Sequence, residues 1–262
     1  MKARHFKLVG LSGYTRNAAA LAEISFSALP QKKAEKAKQK NGYDESVPTP
    51  SQSGLKYGPH QRHVFDFWRA SSDSPTPLVV VIHGGGWRGG KKEDVHKFLD
   101  VAQLLDSGIS VAAISYRLLK HLDDVQPPVK GPMLDSARAI QFFRSQADTF
   151  NIDPSRIGTA GGSAGACTSL WLAYHDDLAD PTSEDPLLRE SSRLLCAAVS
   201  RPQTTLDPQL MRQWIPNATY GAHAFRLNVK EFETFLAQRV PQKDQGSQCV
   251  VGLKSQFHGY LL

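Results

Sequence analysis

Leu78-Val79-Val80-Val81-Ile82-His83-Gly84-Gly85-Gly86-Trp87 decides the fold of this chain. Its first five residues form an unbroken apolar, largely β-branched run, which reads as a strand covered on both faces. Three glycines follow at once, so the strand ends in a loop whose backbone amides can turn inward. Working outward, Val111-Ala112-Ala113-Ile114-Ser115-Tyr116 is a second buried strand, and Lys92 to Leu105 between them reads as a helix. Val64, Asp66 and Trp68 alternate with Phe65 and Phe67, as in a strand. Met133, Ala137, Ile140, Phe143, Ala147 and Phe150 recur at helical spacing along one apolar face. Asn151-Ile152-Asp153-Pro154 ends that helix, and Arg156 to Gly162 returns as a strand. Ala164 to His175 is the next helix, and Leu194 to Ser200 a further short strand. Such alternation predicts an α/β fold with a mostly parallel, doubly wound sheet.

Three segments are expected. Residues 1–57 read as a flexible leader and linker, 58–240 as the α/β domain, and 241–262 as an irregular tail. The leader carries Lys32, Lys33, Lys36, Lys38 and Lys40 in one polar stretch, which accounts for much of the net charge of +6. No aromatic residues are interleaved and no recognition motif accompanies the charge, so a solvated leader is expected rather than a nucleic-acid arm. Residues 202–224 read as irregular, and Lys230 to Arg239 as an amphipathic helix. No apolar run of about 18 residues is present, so no membrane span is expected. Arg16, Asn17 and Glu23 interrupt the N-terminal apolar segment, which leaves a poor signal peptide and an open choice between cytoplasm and export. Cys167, Cys196 and Cys249 are far apart and lack metal-ligand spacing.

Two motifs carry chemistry. Gly161-Gly162-Ser163-Ala164-Gly165 is a G-x-S-x-G match at a strand-to-helix junction. A sharp turn there lifts the serine hydroxyl out of the sheet, and the Ala164 N–H at the helix start can face an oxyanion. His83-Gly84-Gly85-Gly86-Trp87 supplies inward amides suited to the same charge. Gly85, Gly90 and Lys91 also satisfy G-x-x-x-x-G-K, the phosphate-binding loop pattern. Lys92 stands where that pattern needs Ser or Thr, so the oxyanion reading is preferred.

With these motifs in order, the chain resembles the esterase branch of the α/β-hydrolases, which includes hormone-sensitive-lipase-like and feruloyl-esterase-like carboxylesterases. The match runs through Val64–Trp68, His83–Trp87, Ser115–Leu118, Asp135–Ala139, Asn151–Ile157 and Gly162–Gly165. It covers roughly residues 62–200. The resemblance implies that Ser163 is the nucleophile and that Gly85, Gly86 and Ala164 supply oxyanion-hole amides. It further implies a small-molecule ester substrate and no metal or organic cofactor. Oligomeric state is left open.

In that fold the acid and then the histidine follow the serine. His175, His223 and His258 follow Ser163, and His175 stands about 18 Å along the same helix. His258, with Asp244 as its acid, is the best pair by order; His223 and Asp207 are the other candidates. The family's closing strands are not evident after Gln238. The expectation is therefore an incomplete C-terminal part, no assembled triad and an uncovered sheet edge. A non-catalytic protein of the same fold is the alternative to an active esterase.

Overall fold

A computed structural model describes residues 42–215 and 221–237. Six strands form one sheet: β1 (Gln52–Lys56), β2 (Val64–Trp68), β3 (Thr76–Ile82), β4 (Ser110–Ser115), β5 (Ile152–Gly162) and β6 (Ala197–Ser200). Their spatial order is β1-β2-β4-β3-β5-β6. β4, β3, β5 and β6 run parallel, while β1 and β2 join antiparallel at one edge. The helices are α1 (Val101–Asp106), α2 (Lys130–Ser145), α3 (Ala147–Phe150), α4 (Ala164–Tyr174), α5 (Pro208–Trp214) and α6 (Val229–Ala237). α2 and α4 pack on one face of the sheet and α1 on the other, as the alternating pattern predicts.

The period-2 geometry of the strands sorts the core. Phe65, Phe67, Leu78, Val80, Ile82, Ala112 and Ile114 pack on one face with Met133, Ile140 and Phe143 of α2 and Trp171 and Leu172 of α4. Trp68, Val81, Val111 and Ala113 point the other way, onto Val95, Val101 and the rings of Tyr43 and Phe98. Pro77 cannot donate a ladder hydrogen bond, and it stands where the β3–β5 register shifts.

Several expectations change. The stretch expected to be linker up to residue 57 is packed from residue 42 onward. Tyr43, Val47 and Tyr57 are buried, and β1 pairs with β2. Its anchor is the buried Asp66 carboxylate, which accepts from the Tyr43 hydroxyl, from Gly54 N and from Lys92 Nζ at 2.6 Å. The helix expected over Lys92 to Leu105 is two pieces, a 3-10 turn at Lys92–Lys97 and then α1. Asp100 causes the break, because its side chain accepts from Gln103 N and starts a new helix. Residues 202–224 are not wholly irregular: they contain α5 and a 3-10 turn at Ala222–Phe225. The lysine run, Asp244 and His258, and the expected tail at 241–262, lie outside the described residues. Among the described residues no helix is long and apolar enough to cross a membrane.

Candidate active site

β3 and β5 are neighbours, yet the chain leaves β3 toward β4 on one side and leaves β5 toward β6 on the other. Such a reversal opens a crevice at the carboxyl ends of the two strands, where open α/β sheets place their ligands. Register brings the two glycine motifs together there. Ile82 pairs with Gly161, so His83–Trp87 and Gly162–Ser163 emerge side by side. A Cβ on Gly84 would lie 2.7 Å from Gly162 O and 3.6 Å from Ser163 Cβ.

Ser163 has φ 53° and ψ −119°, a conformation a non-glycine residue holds only when its surroundings enforce it. The enforcement is visible. Ser163 N donates to Ser200 O at 2.9 Å, and Ser163 O accepts from Cys167 N in the first turn of α4. Close approach of α4 to β3 accounts for the motif's last glycine, since a Cβ on Gly165 would meet Ile82 O at 2.0 Å. The serine side chain is exposed at the crevice. Ala164 opens α4, where backbone N–H groups lack intrahelical partners and the helix dipole is positive.

The opposite wall is the loop after β3. Gly85 has φ +103°, and its carbonyl accepts from Arg88 N and Gly89 N, which closes a tight turn. Trp87 is fully buried and also left-handed, at φ 55°. Its indole donates to Thr168 Oγ1 at 3.1 Å, and its carbonyl accepts from Leu119 N. These bonds tie the loop to α4 and to the segment after β4. The lysines of the phosphate-loop pattern are turned to other uses. Lys91 faces Glu93 at 4.0 Å, and Lys92 pairs with Asp66 and Glu93.

Two residues join this crevice that no motif marked. Gln203, on the loop after β6, donates from Nε2 to Ser163 Oγ at 3.4 Å. Among the described residues it is the hydrogen-bond partner of that hydroxyl. Its position just past the carboxyl end of a parallel strand was the available signal. His223, in the 3-10 turn, stacks on Trp87 with ring centroids 6.0 Å apart. Its Cδ2 and Nε2 lie 3.5 Å from where a Cβ on Gly86 would stand. Burial, and then the nearby Arg88 charge, hold its pKa below the ordinary histidine value.

Two further described histidines are placed elsewhere. His175 follows α4 at its far end, its ring against Trp171. His63 and Asp135 form a buried contact at 3.0 Å that resembles a catalytic pair, but both partners are committed. Asp135 accepts from Arg117 N, Nε and Nη2, and His63 Nδ1 accepts from His60 N. Asp207 begins α5, accepting from Leu210 N through its side chain. Cys167 is buried, which pushes its thiol up to about 12 and leaves it inert. Among the described residues no cluster of side chains could hold a metal ion.

The BD-FAE family model matches residues 66–195. The versiconal hemiacetal acetate esterase of Dothistroma septosporum is 31% identical over 131 residues, which is 50% of this chain and 36% of that protein. Carboxylesterase NlhH of Mycobacterium tuberculosis is 30% identical over 178 residues, covering 68% of this chain and 49% of its own length. The chain thus spans between about a third and a half of these curated relatives. In fold it is similar to the thermophilic esterase Est2 of Thermogutta terrifontis, with a TM-score of 0.53 at 19% identity over 72% of this chain and 66% of that one.

Proposed function

The chain belongs to the carboxylesterase family of the α/β-hydrolases, and from that premise we propose that it cleaves small carboxylic esters through an acyl-enzyme on Ser163. The observation that carries the reading is the strained backbone of Ser163, held opposite the Gly84–Trp87 loop by the Ile82–Gly161 register. Ser163 Oγ attacks the acyl carbon while its proton passes to a histidine. The tetrahedral oxyanion is met by the N–H groups of Gly85, Gly86 and Ala164. The histidine then returns the proton to the departing alcohol, and water, activated by the same histidine, releases the acid. The base in this reading is His258, backed by Asp244, or else His223. The mechanism calls on no metal or organic cofactor.

A second reading is a non-catalytic protein of the same fold. It is favoured by Gln203, an amide rather than an imidazole, standing on the Ser163 hydroxyl. One experiment separates the two. Wild type and Ser163→Ala are incubated with a fluorophosphonate and, separately, with an activated short-chain ester. Labelling and turnover confined to the wild type support the esterase. Equal or absent signals in both support the second reading.

A further inference from the structure

Arg62 lies outside both glycine motifs, just before β2, and the reading of Ser163 makes no use of it. Its half-buried guanidinium joins three groups. Nε donates to Tyr116 O at 2.7 Å, just beyond the end of β4, and Nη2 donates to Gly90 O at 2.8 Å. The same Nη2 faces His83 Nε2 at 3.4 Å. His83 is fully buried, its ring stacked on Tyr116 at 4.1 Å, and its Nδ1 stands 2.8 Å from Gly84 O.

Donor logic fixes the imidazole. A guanidinium has hydrogen atoms to give and no acceptor, so the nitrogen facing it carries the lone pair. Nδ1 therefore carries the proton and donates it to the Gly84 carbonyl. Burial keeps the ring uncharged, with a pKa lowered to about 4. The bond to Gly84 opposes that shift, and the Arg62 charge adds to it. The Tyr116 hydroxyl donates to His83 O at 2.7 Å and holds the neighbouring carbonyl as well. In a planar trans peptide the C=O of Gly84 and the N–H of Gly85 point opposite ways. Drawing Gly84 O toward His83 therefore turns the Gly85 N–H away from it.

We propose that Arg62 is a positioning residue for the oxyanion loop: it selects the His83 tautomer that pins the Gly84 carbonyl, and so fixes the direction of the Gly85 N–H. The role rests on the reading of Gly85 as an oxyanion donor. Lysine cannot replace it fully, because an ammonium lacks the planar fork that reaches Tyr116 O, Gly90 O and His83 together.

The test uses Arg62→Met and Arg62→Lys in the full chain, read by nitrogen-15 spectra of labelled histidine at neutral pH and by ester turnover. Wild-type His83 is expected as the Nδ1–H form, with Arg62→Met shifting a measurable share to Nε2–H. The kcat of Arg62→Met should fall about tenfold to a hundredfold, with KM little changed, because one donor is misdirected rather than removed. Arg62→Lys should fall between the two. A His83 that keeps its Nδ1–H form in Arg62→Met overturns the proposal, whatever happens to kcat. Should that variant not fold, Arg62→Ala is read in the same way, and a retained Nδ1–H form overturns the proposal there too. Absence of any wild-type turnover counts against the esterase reading alone, and the tautomer then judges Arg62 by itself.

Discussion

Gln203 reaches across from the loop after β6 to the Ser163 hydroxyl, its Nε2 donating to Oγ at 3.4 Å. At that length the bond is weak, and an amide cannot take the serine proton. Its place is that of a group that holds the resting hydroxyl or, in the proposed esterase, touches the bound ester. In Gln203→Ala, loss of the Ser163 bond accounts for at most about 1 kcal/mol, or about 2–4 °C in melting temperature. Ester turnover should fall by no more than about fivefold, the equivalent of that energy. A loss of a thousandfold would make Gln203 part of the chemistry and refute this assignment.

The contact of Gly165 with Ile82 O predicts a sharp contrast between glycines. Alanine at 165 puts a carbon 2.0 Å from a strand carbonyl that cannot move without breaking the sheet. Gly165→Ala should cost at least about 2 kcal/mol, and it should displace Ser163 as well. Gly89, with nothing within 4 Å and an ordinary φ, should accept alanine within about 0.5 kcal/mol. Chemical denaturation of the two variants checks the pair, and equal stabilities would contradict the packing argument.

The parts legible in the sequence were those that burial on both faces dictates. β3 and β4 are continuous apolar runs, and the glycines around Ser163 record how closely α4 crosses β3. β1 was not legible because Gln52-Ser53-Gly54-Leu55-Lys56 is polar and mostly exposed. It is a strand only through its pairing with β2 and the Asp66 bond to Gly54. The break before α1 was hidden by one residue, Asp100, whose capping role periodicity does not reveal. At the site, Ser163 and the loop after β3 announce themselves through local backbone demands. Gln203 reaches the crevice only through tertiary folding, and His223, a candidate by chain order alone, owes its place against Trp87 to the same folding.

Asp135 shows what a buried charge demands. Burial raises its pKa, but hydrogen bonds from His63 and Arg117 outweigh burial and hold the carboxyl below its ordinary value. Asp135→Asn removes the charge while the buried His63 and the partly buried Arg117 remain around it. The expected cost is about 3–5 kcal/mol, typical of breaking one side of a buried pair. Urea denaturation measures it, and a cost under about 1 kcal/mol would show that the Arg117 contacts are dispensable.

Acid should weaken the fold in a defined window. His83 is held uncharged to about pH 4 by burial, against 6.5 in the ordinary case. Between those values the unfolded chain binds a proton that the folded chain refuses, so stability falls as pH falls. The full contribution is present above about 6.5 and is lost on descending to about 4, a difference of roughly 3 kcal/mol. His60 and His121, lowered first by burial, act in the same direction. Asp135, a carboxyl held low by its hydrogen bonds against burial, loses its contribution only at more acid pH. Denaturation midpoints that stay flat from pH 7 to 4.5 would show that His83 titrates normally.

The choice of base can be decided by two substitutions and a pH profile. His223 lies against Gly86 and Trp87, with its pKa below the ordinary value because of burial and the Arg88 charge. A base works in its neutral form, so catalysis through His223 would persist below pH 6.5 before its acid limb appears. Arg88→Ala, by removing the charge, would move that limb upward. His223→Ala would then lower kcat by about a thousandfold or more, as loss of a triad base does, while His258→Ala would leave kcat near wild type. The reverse pattern, with Asp244→Ala matching His258→Ala and an acid limb indifferent to Arg88, assigns the base to His258. His223 would then be a wall of the acyl pocket, and His223→Ala should change KM more than kcat. Turnover untouched by either histidine substitution would remove both residues from the mechanism.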